Sequence, residues 1–124
     1  MSIFERGQLD DIADRGWVLG NFAGGPRQTG AVEVKWTRHA PGLTGKGWSD
    51  CYTATTLSVL ISGKFRILFR NAPVEFVDLS APGDYVLFGP GIPHLSRALE
   101  DSLLITVRWP SVKGDCHLIE HDLS

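Results

Sequence analysis

With 124 residues, 43% of them hydrophobic and 21% charged, the chain is long enough for one domain with a buried core of its own. Its formal net charge of -2, with lysines and arginines scattered singly, gives neither nucleic acid nor an anionic membrane an electrostatic reason to bind. No apolar run approaches the length that spans a bilayer.

In chain order, Met1-Ser2-Ile3-Phe4-Glu5-Arg6 lacks the basic, apolar, small-residue succession of an export signal, so a cytoplasmic location is expected. Cys51 and Cys116 form no C-x-x-C unit, and in that compartment they read more readily as free thiols than as a bridge. A short acidic helix is expected near Gln8–Asp14. Strand-like segments follow at roughly Trp17–Phe22, Ala31–Arg38, Thr55–Ile61, Lys64–Arg70, Val74–Leu79, Tyr85–Phe88, His94–Ala98 and Ser102–Trp109. Ser62-Gly63 signals a tight hairpin, and Asn71-Ala72-Pro73 another turn. Strands at this spacing, with one short N-terminal helix at most, predict an all-β sandwich or barrel.

Period-two alternation assigns faces. Val32, Val34, Trp36 and Arg38 share one side of the second segment, taken as inward, and Glu33, Lys35, Thr37 and His39 fall on the outer side. Phe65, Ile67 and Phe69 oppose Lys64, Arg66 and Arg70. Near the end, Leu103, Ile105, Val107 and Trp109 oppose Leu104, Thr106 and Arg108. In Thr55–Ile61 neither face is strongly polar. Either the strand is buried on both sides, or Thr56 and Ser58 line a cavity.

The most informative stretch is Gly83-Asp84-Tyr85-Val86-Leu87-Phe88-Gly89-Pro90-Gly91-Ile92-Pro93-His94. A strand enters a Gly-Pro-Gly turn that glycine and proline make rigid, and the turn delivers His94 to the start of the next strand. With Pro41-Gly42 and Thr55–Phe65, this order of landmarks resembles the two motifs of the cupin family over roughly Val32 to Trp109. The resemblance implies a double-stranded β-helix, or jelly-roll barrel, filling a single domain (residues 1–124, core about 30–110).

Metal-binding cupins carry His-x-His and Glu in the first motif and a further histidine in the second. Here the glutamate slot falls near Thr56 and the His-x-His slots near Asp50 and Tyr52, or Ser49 and Cys51 with a one-residue slip. No histidine lies between His39 and His94. No cofactor is therefore expected in the ordinary cupin geometry. Should a divalent ion bind instead, His94, Asp50 and Cys51 are its candidate ligands; alternatively Asp50, Cys51 and Tyr52 simply fill that region. Asp115-Cys116-His117-x3-His121 offers a satellite set of ligand types in the tail.

The candidate site is thus His94 as general acid/base, with Tyr52 or Asp50 as its partner. Thr56, Ser58 and Ser96 line the cavity, and Arg38 and Trp48 stand at the rim. Arg38 either anchors a carboxylate or extends into solvent. Trp48 in its glycine-rich loop either covers a ligand or packs at a dimer contact. His39, at the end of its strand on the polar side, reads as exposed. Three functions are open: an enzyme of small-molecule chemistry (lyase, isomerase or cyclase) without the usual metal centre, a non-catalytic or sensing small-ligand binder, and a residual metalloenzyme with substitute ligands. A purely structural barrel is the remaining possibility. A homodimer is expected, with Trp17–Phe22 extending a neighbour's sheet.

Overall fold

The computed structural model describes residues 4–12, 16–70 and 75–121. Among these residues, helix is confined to α1 (Leu9–Ile12) and one 3-10 turn at Gly25–Arg27. The rest of the regular structure is β: β1 (Trp17–Leu19), β2 (Glu33–His39), β3 (Gly42–Leu43), β4 (Gly47–Cys51), β5 (Thr55–Ser62), β6 (Phe65–Phe69), β7 (Glu75–Leu79), β8 (Tyr85–Phe88), β9 (His94–Ala98), β10 (Ser102–Trp109) and β11 (Cys116–His121). The eight expected segments are all present. Ala13 and Asp14, at the end of the expected helix, and the Asn71–Val74 turn lie outside the described residues. Unforeseen were β3, β4 and β11, whose residues (Gly-rich, or mixed Cys, His and Glu) show no clean alternation.

The strands form two antiparallel sheets in the orders β1-β2-β10-β5-β8 and β11-β4-β9-β6-β7, with β3 added beside β9. The two sheets face each other as a flattened barrel. One end is filled by Leu60, Ile67 and Leu79, each at most 2% exposed, with Phe65, Phe88 and Leu104 around them. Truncating Leu60 there would cost about 2–5 kcal/mol.

Toward the other end the interior turns polar, and here the face assignment from hydrophobicity fails. In β2 the inward residues are Glu33, Lys35, Thr37 and His39; Trp36 and Arg38 lie outside. The outward placement has a definite cause. Asp10 of α1 accepts the Trp36 indole N–H at 2.9 Å and two N–H groups of the Arg38 guanidinium fork, at 2.8 and 3.0 Å, so the N-terminal segment anchors that face. In β10 Leu104, Thr106 and Arg108 point in, while Trp109 is 40% exposed. In β5 the inward face is Thr56, Ser58 and Leu60, which settles that strand in favour of a hydroxyl-lined cavity. Only β6 keeps its expected faces, with Phe65, Ile67 and Phe69 buried.

Two turns fix the geometry around the interior. Gly91, at φ +74°, donates its N–H to the Cys51 carbonyl at 2.8 Å, which docks the Gly-Pro-Gly turn on β4. Gly63, at φ +96°, connects β5 to β6 against the backbone oxygen of Asp101 and against Ser102. Ser102 Oγ in turn accepts the Lys64 N–H at 3.1 Å. A methyl group at position 63 would meet those atoms in a backbone conformation that favours glycine. Gly63→Ala should therefore lower the unfolding free energy by more than about 1 kcal/mol in a chemical denaturation series. Unchanged stability would show that the hairpin is not held this tightly.

Candidate functional site in the barrel

Register explains how the polar interior is built. Lys35 on β2 lies opposite Thr106 on β10, which lies opposite Ser58 on β5. One inward step along, Glu33, Arg108 and Thr56 form the parallel row. Residues directly opposite in an antiparallel pair project to the same face, so both rows point inward together. From the facing sheet, β9 contributes His94 and Ser96, and β2 ends with His39.

These residues enclose a cavity of about 100 Å³, floored by Phe65, Ile67, Phe88 and Leu104 of the core. Lys35 and Arg108 also line a wider mouth of about 790 Å³, edged by Trp17, Phe22 and the Pro110–Cys116 segment. Among the described residues lining the inner cavity there is no Asp or Glu. Its charge comes from Lys35 and Arg108.

Glu33 offsets these two cations only in part. Burial, and then the charge of Arg108, push the Lys35 ammonium below its ordinary value, with Glu33 offsetting part of the shift. Arg108 approaches Glu33 Oε2 only at 3.5 Å, and its buried Nε has no hydrogen-bond partner among the described residues. Glu33 is itself shared, because Ser111 Oγ donates to its Oε1 at 2.8 Å.

The two histidines are shifted the same way. Burial lowers the His94 pKa first; Arg108 adds to that, against a hydrogen bond to Ile92 and the charge of Asp50. For His39 the causes are burial and then the charge of Lys35. Both imidazoles are therefore neutral near pH 7. Only an acceptor is available at the Ile92 carbonyl, 3.1 Å from His94 Nδ1, so Nδ1 carries the proton and donates. The lone pair is left on Nε2, and the ring is set against Phe88 at 4.7 Å between centroids. His39 Nε2 lies 3.0 Å from Thr37 Oγ1.

Of the residues singled out from sequence, His94, Thr56, Ser58 and Ser96 are brought together in this cavity. Others are placed elsewhere. Asp50 stands opposite His117 on β11, with Oδ1 3.0 Å from Nε2 but without hydrogen-bond geometry. Tyr52 is 68% exposed and stacks on the His117 ring at 4.2 Å. Trp48 lies beneath the Arg70 guanidinium, 4.5 Å away, and Arg70 pairs with Glu120. Arg38, expected at the rim, is bound to Asp10 outside the barrel. His39, expected to be exposed, lines the cavity. Cys51 and Cys116, expected as free thiols, are joined as a disulfide between directly opposed positions of β4 and β11.

Lys35, Thr37, His39, Thr106 and Arg108 were missed as site residues. A signal for them exists in the sequence. The alternation Glu33-x-Lys35-x-Thr37-x-His39 repeats polar groups at strand period, as do Thr106-x-Arg108 and Thr56-x-Ser58. Polar parity shared by three strands marks an aqueous interior as readily as a solvated exterior.

The chain matches no family model and no curated protein. Solved structures do match. An uncharacterized conserved protein with a double-stranded β-helix domain from Klebsiella pneumoniae superposes with a TM-score of 0.70 at 19% identity, over 93% of this chain and 91% of that one. The fold is the cupin-type double-stranded β-helix. Peruvianin-I, a cysteine peptidase from Thevetia peruviana latex, gives a TM-score of 0.61 at 15% identity over 74% of this chain. Oxalate decarboxylase from Bacillus subtilis gives 0.60 at 17% identity over 73%. The chain spans 58% and 24% of the length of those two proteins. Proteins with this cupin-type fold thus include enzymes. No helix among the described residues is long and apolar enough to cross a membrane.

The metal centre that a cupin resemblance implies does not fit these residues. The inner cavity offers two imidazoles and no carboxylate, and Lys35 and Arg108 in its wall would repel a cation. Cys51, Asp115 and Cys116 do bring three ligand atoms within 4.8 Å of one another. Each is already engaged. The cysteines bond to each other, and the Asp115 carboxylate accepts the backbone N–H groups of Thr53 and Ala54 and the Thr53 hydroxyl.

Because both half-buried imidazoles lie below the ordinary 6.5, the unfolded chain binds more protons than the folded protein in the window beneath that value. Stability is full above that window and falls as acid is added through it. The melting temperature should drop between about pH 7 and pH 5, and a His39→Gln/His94→Gln double variant should flatten the profile. A parent profile that is level, or that rises toward acid, would contradict the burial of these rings.

Proposed function

We propose that the barrel is the active site of a small-molecule enzyme acting on an organic anion, by proton transfer and without the usual cupin metal centre. The observation that carries this reading is the pairing of a cationic wall, Lys35 and Arg108, which Glu33 offsets only in part, with neutral histidines in one cavity.

In this reading Lys35 and Arg108 hold the substrate carboxylate, the guanidinium through its planar fork. Anion binding also relieves the repulsion between the two cations. Thr56, Ser58 and Thr106 supply hydroxyls that orient the head group in the inner cavity. His94 Nε2, the nitrogen with the lone pair, removes a proton from the carbon next to the carboxylate, and the electron pair moves toward the carboxylate oxygens. The cations stabilise the charge that develops there. The imidazolium then returns the proton to a different atom of the same molecule, as in an isomerisation, or to a departing group, as in a lyase. Two neutral histidines lie in this cavity, and His94 is preferred because its Nδ1 is fixed as the donor to Ile92.

Asp50 and Tyr52, the acid/base partners expected from sequence, belong instead to the His117 cluster on β4 and β11. Arg38 belongs to Asp10, so Lys35 and Arg108 take the anchoring role.

A panel of small carboxylic acids screened by thermal shift, with ligands that bind followed for conversion by NMR, tests this. Binders should be turned over. His94→Gln should lower turnover at least about a hundredfold while leaving affinity within a few fold. Arg108→Met should abolish binding. Binding without turnover would make the barrel a sensing or carrier module instead, and failure of every carboxylate to bind would remove the anion reading.

A further inference from the structure

We infer that the barrel mouth is a second subsite, which takes the flat apolar tail of an aryl carboxylic acid whose carboxylate sits at Lys35 and Arg108. This rests on the reading of the barrel as an organic-anion site and adds the part of the ligand that site would leave outside.

The two spaces differ in size and in chemistry. At about 100 Å³ the inner cavity takes only a small head group, whereas the mouth, at about 790 Å³, has the dimensions of a ligand pocket. Lys35 and Arg108 line both. The charged anchor therefore stands at the junction, and whatever a carboxylate carries beyond the head must lie in the mouth.

Apart from the anchoring cations and Lys113 at its edge, the charges lining the mouth are engaged. Glu33 is engaged by Ser111 and Arg108, Asp115 by Thr53 and Ala54, and Arg27 by Glu5 at 3.2 Å. Unsatisfied apolar surface is left. Phe22 is 48% exposed and Val112 47%, with Trp17 and Pro110 beside them. Trp17 and Phe22 meet with centroids 4.9 Å apart at an interplanar angle of 60°. Two ring planes at that angle form a corner, where a third ring is met by one face and one edge, a favourable aromatic geometry on both sides.

The wall and the anchor are also one cluster. Lys35 Nζ lies 5.1 Å from the Trp17 ring centroid, and the Arg108 guanidinium carbon 5.7 Å from it. A carboxylate held by these cations is thus within one or two bonds of a ring stacked at Trp17 and Phe22. Phenylacetate has that span. Acetate has the same head without the ring.

NMR titration of the protein with acetate and with phenylacetate, followed at the Trp17 indole and the Thr56 and Ser58 amides, tests the subsite. Phenylacetate should bind at least about tenfold more tightly than acetate. Phe22→Ala should remove most of that advantage and leave acetate affinity unchanged, and Lys35→Met should weaken both ligands. Acetate binding with no gain for phenylacetate would overturn the subsite while leaving the anion site standing. A gain that survives both Phe22→Ala and Trp17→Leu would also overturn it, since the ring would then lie elsewhere. If neither ligand binds, the anion reading fails and the subsite with it.

Discussion

Two like charges, Lys35 and Arg108, stand on the inner face of one antiparallel strand pair, and the remaining features of the site follow from that placement. Register puts Lys35 opposite Thr106 and Arg108 opposite Glu33, so neither cation can turn away without turning its strand. A one-residue slip of β2 against β10 would send the whole polar set to the outside, and would bring in Trp36, which Asp10 holds out. Glu33 offsets one charge at most. The chain as a whole carries a net charge of -2, yet the polar cavity within its barrel is cationic. A local field opposite in sign to the global one is what the proposed binding of a small organic anion in the barrel rests on.

The same placement accounts for the state of the histidines. Imidazolium would be doubly penalised, by desolvation and by repulsion from Arg108 at His94 and from Lys35 at His39, so neutral rings are the stable form. His94 gains a fixed tautomer from the Ile92 carbonyl, which the rigid Gly89-Pro90-Gly91 turn presents, and that turn is docked on β4 through Gly91. At the opposite side of the mouth the Cys51–Cys116 bond and the Asp115 hydrogen bonds tie β11 and its preceding turn to β4. Anchoring of this kind gives the mouth a set shape rather than a flexible rim.

Much of this architecture is legible in the sequence. Turn residues delimit eight strands, the Gly-Pro-Gly landmark delivers His94 to the start of β9, and Thr56, Ser58 and Ser96 share its cavity. What could not be read was which face of β2 and β10 is inside. Hydrophobic alternation assumes that the apolar side meets the core, and in these two strands the inner side is a polar cavity and the outer side is partly covered by residues near α1. Non-local pairing was equally hidden. Nothing in the sequence around Asp50, Tyr52 or Cys51 says that β11 will lie beside them, so their partners His117 and Cys116 come only with the topology. Arg38 lost its expected role for the same reason, because its partner Asp10 is twenty-eight residues away.

The proposed anion site depends most directly on Lys35 being a half-buried cation crowded by a second one. Selective labelling of lysine methylene carbons would let its titration be followed by NMR. Lys35 should titrate below its ordinary 10.5, and saturating acetate should raise that value by placing a negative charge between it and Arg108. A Lys35 that titrates at 10.5 or above, and is indifferent to acetate, would show that no cationic cavity exists at the centre of this barrel.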